Sequence, residues 1–427
     1  MKLSNVPFYL TLISGVLPLF AAFFDSEFFI YLPFALTVIA LLLFWLKSKW
    51  IFKRESPETI FLFLFLVAHG VLTSLTIGHG SLGLLALVIT VFIYLKLFDA
   101  AGACLKPDKL INQLIIIYCL HLTYLFVEFF LRLFGYQNLL ISLFGSAENV
   151  TKLKTYKSAT FLQEVIGLPE TIFGLGGLLL GSQSAGQVMT CAFIISALWY
   201  KYSPLKGMKH LIFNILALLA FLFASNMTMT IAIFTVFLLM VFIIPASRIK
   251  TITIQVIVLL GIIVFFQTII SLLLFRLSNF DQDVEVYLDA FMEPVESFLD
   301  FNLWEILFGL GRTRVIASAG DFGAGMLVNQ AGLLFVLILS FTLGNILLTA
   351  FRESKKAVDL DEACLSERKK WLWLATINAL ISFVFALGLF HYTPSIELGG
   401  LQMFAFSIAL TIISNRYLRR FRRVEIK

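Results

Sequence analysis

The sequence predicts an all-α integral membrane protein of about twelve transmembrane helices, with two long periplasmic loops that carry short interfacial helices. Three observations predict it. Of the 427 residues, 60% are hydrophobic and 14% charged, whereas a soluble domain carries about a quarter charged residues. Mean hydropathy is +0.95, and apolar runs of roughly 17–25 residues recur from end to end, each long enough to cross a ~30 Å hydrocarbon core as a helix. The basic residues cluster in short segments between those runs.

In chain order the expected spans are 7–24, 27–46, 59–78, 81–98, 111–133, 184–202, 210–225, 228–245, 251–275, 323–349, 371–391 and 399–415. The first run has a weak basic start and no A-x-A site, so it reads as a retained helix and not a cleaved signal peptide. The pair 210–225 and 228–245 is joined only by Asn226-Met227. No internal repeat or low-complexity linker divides the chain, so residues 1–427 read as a single polytopic domain.

Orientation follows from the loops. The segments 47–55, 105–109, 203–210, 247–250, 351–370 and 416–423 fall on one side, which holds 25 of the 32 Lys and Arg; the other holds seven. The positive-inside rule makes that side cytoplasmic, with both termini on it. The other side carries two long connections, about 134–183 and 276–322. A bundle joined by tight turns does not need insertions of that size, and long loops are where function concentrates. In the second, Val284, Leu288, Phe291, Val295 and Phe298 recur at three and four, opposite Asp281, Glu285, Asp289 and Glu293. That spacing predicts an amphipathic helix lying in the interface, kinked near Pro294.

The formal charge of +6 does not point to nucleic acid, because the positive-inside distribution accounts for it. Cys104, Cys119, Cys191 and Cys364 show no CxxC and no metal spacing. The topology puts Cys104 and Cys364 in the cytoplasm and the others inside helices, so no disulfide is expected.

The candidate site is built around Trp304–Leu333, WEILFGLGRTRVIASAGDFGAGMLVNQAGL. Arg276, Arg312 and Arg314 are three of the seven outer basic residues, all in one loop. Arginine suits bidentate recognition of phosphate, at roughly 1.5–3 kcal/mol per charge-assisted bond. Gly309, Gly311, Gly320, Gly323 and Gly325 provide backbone that an anion approaches closely. The competing reading has the arginines reaching lipid headgroups or pairing with Asp321 and Glu305. Asp321 reads equally as the cap of a helix starting at Gly323 and as an active-site acid. His391, at the outer end of the eleventh span, reads as a base near neutral pH or, with Tyr392, as an interfacial anchor. Lys154 and Lys157, with Lys152 and Tyr156, form a basic patch that steers an anionic substrate or binds lipid phosphate. His121 and Glu128 face one side of the fifth span, with Glu128 expected near enough to the surface to be solvated. Asp281 and Asp283, spaced D-x-D, read as part of the acidic helix face and not as a metal site.

With these residues in place the chain resembles the bacterial O-antigen polymerase (Wzy-type) family, within the O-antigen polymerase and ligase superfamily. The likeness covers most of the chain as topology and is sharpest at ILFGLG (306–311), Asp321 and GAGMLVNQAGLLFVLIL, with LLLGSQSAGQV (178–188) and Arg276-Leu277 in support. The chain departs from the family where Ser225-Asn226-Met227-Thr228 stands in place of a Ser-Arg pair.

The resemblance implies a glycosyltransferase in the bacterial inner membrane. It would transfer a growing glycan from undecaprenyl diphosphate to a lipid-linked oligosaccharide repeat unit on the periplasmic face, with a chain-length regulator as a protein partner. In this reading Arg312 and Arg314, then Arg276, hold the leaving diphosphate, and Asp321 and His391 are the candidate bases. Arginine supplies the positive charge, so no metal or cofactor is expected. An O-antigen ligase is the alternative within the class, and predicts a histidine in the second long loop, which has none. A flippase for the same lipid-linked unit is the alternative outside it, and predicts charged residues inside several spans.

Overall fold

The computed structural model describes residues 3–24, 28–47, 82–102, 105–136, 178, 182–202, 300–309, 328, 332–356, 365–391 and 400–425. Among them the chain is entirely helical and contains no strand. A 3₁₀ turn, Leu3–Asn5, leads into α1 (Val6–Phe23), followed by α2 (Phe28–Lys47), α3 (Leu82–Ala101), α4 (Pro107–Leu133), α5 (Ser182–Tyr202), the short α6 (Leu303–Phe308), α7 (Leu333–Lys356), α8 (Leu365–His391) and α9 (Gly400–Glu425). The expected spans 59–78, 210–225, 228–245 and 251–275, the helix at 281–298 and most of both long loops lie outside the described residues.

The antiparallel pair α8 and α9 forms the centre, and α3, α5, α7, α4 and α1 pack around it. Small residues let these two helices pack closely. Ala375 and Ala379 on α8, and Ala405 and Ala409 on α9, are completely buried at i, i+4 spacing, the pattern that lets helix backbones approach closely. Between them pack Leu380, Ile381, Val384, Phe385, Phe404 and Leu410, with the Phe385 and Phe404 rings stacked at 5.7 Å. Three buried hydroxyls of α9 are satisfied inside the helix itself: Ser407 donates to Met403 O at 3.0 Å, Thr411 to Ser407 O at 2.8 Å and Ser414 to Leu410 O at 2.6 Å. Such bonding is the solution open to a polar side chain with no water near it.

One end of the bundle is sewn together by polar contacts. Lys370 of α8 bridges Asp108 of α4 at 2.7 Å, Arg416 of α9 bridges Asp99 of α3 at 2.8 Å, and Lys109 of α4 donates to Asn5 Oδ1 before α1 at 2.6 Å. The Tyr417 hydroxyl donates to Gly102 O at 2.6 Å, while its ring stacks on buried Trp371 at 4.2 Å. The starts of α1, α4 and α8 therefore meet the ends of α3 and α9. This is the end to which Lys106, Lys109, Arg368, Lys369, Lys370, Arg416 and Arg419 belong.

Outward faces are apolar. Leu337, Phe341 and Leu348 on α7, and Ile116, Val127 and Phe130 on α4, are exposed. Among the described residues two helices, Pro107–Leu133 and Leu333–Ala350, are long and apolar enough to cross a membrane.

Several boundaries differ from expectation. Helix α4 starts at Pro107, whose fixed φ suits the first helical position, with Asp108 in its first turn and Arg132 in its last, matching the helix dipole. Helices α8 and α9 run on through Glu367–Lys370 and Arg416–Arg423, because nothing in those basic segments breaks a helix. The tenth span, expected over 323–349, is α7 over Leu333–Lys356. Its start is set by Gly332, at φ 83°, a left-handed conformation that glycine adopts freely.

Candidate functional site

The end opposite the ion pairs holds the described edges of the glycine- and arginine-rich segment. Helix α6 is nucleated by a reciprocal cap: Glu305 N–H donates to Asn302 Oδ1, and Asn302 N–H to Glu305 Oε2, both at 3.0 Å. That satisfies two donors a six-residue helix would otherwise waste. Gly309, at φ 79°, ends it, with its N–H on Glu305 O at 2.7 Å. The Trp304 and Phe308 rings pack at 4.4 Å, tilted by 42°, and Leu303 and Trp304 are exposed.

The chain rejoins the described fold through Val328, whose carbonyl accepts the Gly332 N–H at 2.7 Å. Gly332 then lies directly against α6. A Cβ on it would fall 2.2 Å from Leu307 O and 2.5 Å from Phe308 N, distances no side chain tolerates. The segment between Gly309 and Gly332 thus leaves and returns at one point, fastened by a close backbone contact that only glycine permits. Arg312, Arg314 and Asp321 belong to that segment and lie outside the described residues, as do Arg276, Lys154 and Lys157. Asp321 stands twelve positions before the first residue of α7, and its reading as a cap or an active-site acid lies outside the described residues.

His391 is the last residue of α8. The Lys370–Asp108 bridge fixes the parallel register of α8 and α4, and twenty-one residues further along each helix stand His391 and Phe129. The end of α8 is therefore level with the Glu128 turn of α4.

That turn holds a group the sequence reasoning treated differently. Glu128 is not solvated: it is 4% exposed and its Oε1 accepts from Arg132 Nη2 at 2.6 Å, Arg132 being 4% exposed as well. The side chains sit on the inward face of α4, which packs on α5, α8 and α1, and this is why a residue near the helix end is still enclosed. His121, two turns deeper, shares the face. It is buried, and its Nε2 has no hydrogen-bond partner among the described residues. The ring packs on α1 at Gly15, where a Cβ would stand 2.8 Å from Nε2.

No family model, curated protein or solved structure matches this chain.

The chemistry of the site therefore rests on its own residues. Among the described residues no group of three or more His, Cys, Asp or Glu is placed to hold a metal ion. Arg132 was legible in the sequence as the second member of Glu-x-x-x-Arg inside VEFFLRLF, two opposite charges one turn apart in an apolar helix. The Asn302 cap was legible as N-x-x-E ahead of a short apolar run.

Proposed function

We propose that the chain is a polytopic inner-membrane glycosyltransferase of about twelve spans, with both termini cytoplasmic. It polymerises a polysaccharide such as O-antigen from undecaprenyl-diphosphate-linked repeat units at the periplasmic face. In the reaction the bond from the donor sugar's anomeric carbon to the diphosphate breaks, and its electron pair leaves with the diphosphate. A bond to an acceptor hydroxyl oxygen forms, and that hydroxyl's proton passes to a base. Cations must meet the charge that develops on the leaving group. Arg312 and Arg314 are assigned that role, with Arg276 third and Lys154 and Lys157 steering the substrate. Asp321 and His391 are the assigned bases.

The observation that carries this reading is the clamp at Gly332. A segment rich in glycine and bearing two arginines and an aspartate is held at both edges against the bundle, at the end away from the interhelical ion pairs. Preorganised ends lower the entropy cost of ordering such a segment around an anion. The apolar outward faces of α4 and α7 support the membrane setting.

Replacing Arg312 or Arg314 by Ala is expected to abolish long-chain polysaccharide while single repeat units persist on the cell surface. Normal chain-length ladders from both variants would remove them from the mechanism. Translocation of a fluorescent lipid-linked oligosaccharide in proteoliposomes, without polymer growth, would instead assign a flippase.

A further inference from the structure

Helix α6 stands out for what it leaves uncovered. Five of its six residues, Leu303, Trp304, Ile306, Leu307 and Phe308, are apolar, and none of the six is buried. Leu303 is 72% exposed and Trp304 47%. A short helix bathed in water turns such residues inward, because each large apolar side chain left outside forgoes the gain that burial brings. Here backbone makes the close inward contact, where the Leu307 carbonyl and the Phe308 N meet Gly332. The reciprocal Asn302–Glu305 cap occupies the polar groups of the first turn. The helix is fixed in place with its apolar side chains still open.

Two observations say what covers them. Helix α6 packs on α7, and from the contact at Gly332 an outward stripe of α7 runs on through Leu333, Leu337, Phe341 and Leu348, all exposed. These recur at three and four, so they share one side of the helix, and α7 is long and apolar enough to cross a membrane. Six helical residues span only about 9 Å, so Leu303 and Trp304 stand close to the head of that stripe. The second observation concerns the rest of this bundle end. Phe24 beyond α1, and Phe134 and Tyr136 beyond α4, are exposed as well. Helices α1 and α4 pack together while α7 packs on α8 and α9, so the exposed rings stand on different sides of the bundle at the same end. A protein partner would cover one side. Aromatic rings at one end, above aliphatic faces, match a bilayer's interface over its hydrocarbon.

We propose that α6 is a membrane-interface anchor, with Leu303 and Trp304 inserted at the headgroup–acyl boundary of the outer leaflet. The partner is the lipid surface itself, and the anchor sets the depth at which α6 meets Gly332. The inference rests on the membrane-spanning reading of α7 and needs nothing of the polymerase reading. Anchors of this kind sit about 5–10 Å into the boundary. An indole suits that level, with an apolar body for the acyl chains and an N–H for the headgroups. The Asn302–Glu305 cap lets the start of α6 approach lipid with two of its backbone donors already satisfied.

The test is tryptophan fluorescence of the full-length chain in phosphatidylcholine vesicles, brominated either near the headgroup or near the chain ends, with iodide as the aqueous quencher. The signal of Trp304 is the difference between wild type and Trp304→Phe, which cancels the other tryptophans. Adding Phe341→Trp to Trp304→Phe reports in the same way on the α7 stripe, about 12 Å further along the helix than Leu333. Trp304 should lose more intensity to shallow bromines than to deep ones, and little to iodide. The indole introduced by Phe341→Trp should lose more to deep bromines. Quenching of Trp304 chiefly by iodide shows water over α6, quenching by no reagent shows protein over it, and quenching chiefly by deep bromines places it below the interface; each overturns the proposal. If Phe341→Trp also escapes both bromines, the spanning reading of α7 falls with it. Lipid quenching at Phe341→Trp alone leaves that reading standing while the anchor falls.

Discussion

The contact between Gly332 and α6 allows a prediction with internal controls. In Gly332→Ala the new methyl carbon would stand 2.2 Å from Leu307 O, against an ordinary contact distance of at least 3.4 Å. The backbone cannot rotate to relieve this without abandoning φ 83°, a conformation that costs an L-residue about 1–2 kcal/mol. The obstacle is backbone and not the tip of a flexible side chain, so α6 itself must move by more than 1 Å. Overpacking of this kind adds about 1–3 kcal/mol, for a total of about 2–5 kcal/mol. Two other glycines separate the terms. Gly135, at φ 77° with nothing within 4 Å of a Cβ, carries the conformational cost alone. Gly344, inside α7 with equally open surroundings, carries neither, and Gly344→Ala should gain up to about 1 kcal/mol from helix propensity.

The expected order of stability is Gly344→Ala at or above wild type, Gly135→Ala about 1–2 kcal/mol lower, and Gly332→Ala lowest. If α6 undocks for less than the full strain, the global melting temperature moves little and the damage appears locally. Trypsin cleavage after Arg312 and Arg314, followed by mass spectrometry, reads that opening directly, and gel ladders read the loss of polymer length. Gly332→Ala indistinguishable from Gly344→Ala in melting, cleavage and ladder would refute the clamp. It would also remove the structural support for treating the segment as held at both edges.

Other expectations follow from equally local geometry. Gly15→Ala places a methyl 2.8 Å from His121 Nε2 and should cost about 1–3 kcal/mol; combining it with His121→Ala should recover part of that loss in thermal unfolding, and strict additivity would show the two do not touch. Asn302→Ala should raise the cleavage rate at Arg312 and Arg314, since an N-cap contributes about 1 kcal/mol. Adding Glu305→Ala should contribute less than it does alone, because the two side chains form one reciprocal cap.

The sequence foretold the helices better than the site, for a physical reason. Apolar runs report helix existence directly, so α1, α2, α3 and α5 begin and end within a few residues of the expected positions. Where charge follows an apolar run, hydropathy marks the end of the greasy stretch and not of the helix, and α8 and α9 overrun it by a turn or more. At α7 the opposite error arose: GAGMLVNQAGLL is apolar enough to read as continuous, and only the backbone reveals that Gly332 interrupts it. Arg312, Arg314 and Asp321 drew attention by composition, which identifies unusual residues but says nothing of enclosure. Glu128 and Arg132 show what that omits. Glu128, near a helix end in sequence, reads as solvated and Arg132 draws no reading, yet burial depends on which neighbours cover the turn, and α5, α8 and α1 are not adjacent to it in sequence.

The two ends of the bundle therefore spend charge in different ways. At one end Asp99, Asp108, Lys370 and Arg416 join separate helices while staying partly in water, where desolvation is small and each pair contributes at most about 1 kcal/mol. That end behaves as a fastening, and single losses there should be tolerated. At the other end a carboxylate and a guanidinium are enclosed on one helix, and a separate glycine contact is so close that no side chain fits. Both features are costly for folding. A bundle that only had to hold together would place its charges as the first end does. The asymmetry is what a protein needs if one end receives an anion and the other merely closes the fold. It predicts that Asp108→Ala and Asp99→Ala leave chain-length ladders intact while Gly332→Ala shortens or abolishes them; equal effects at both ends would refute the division.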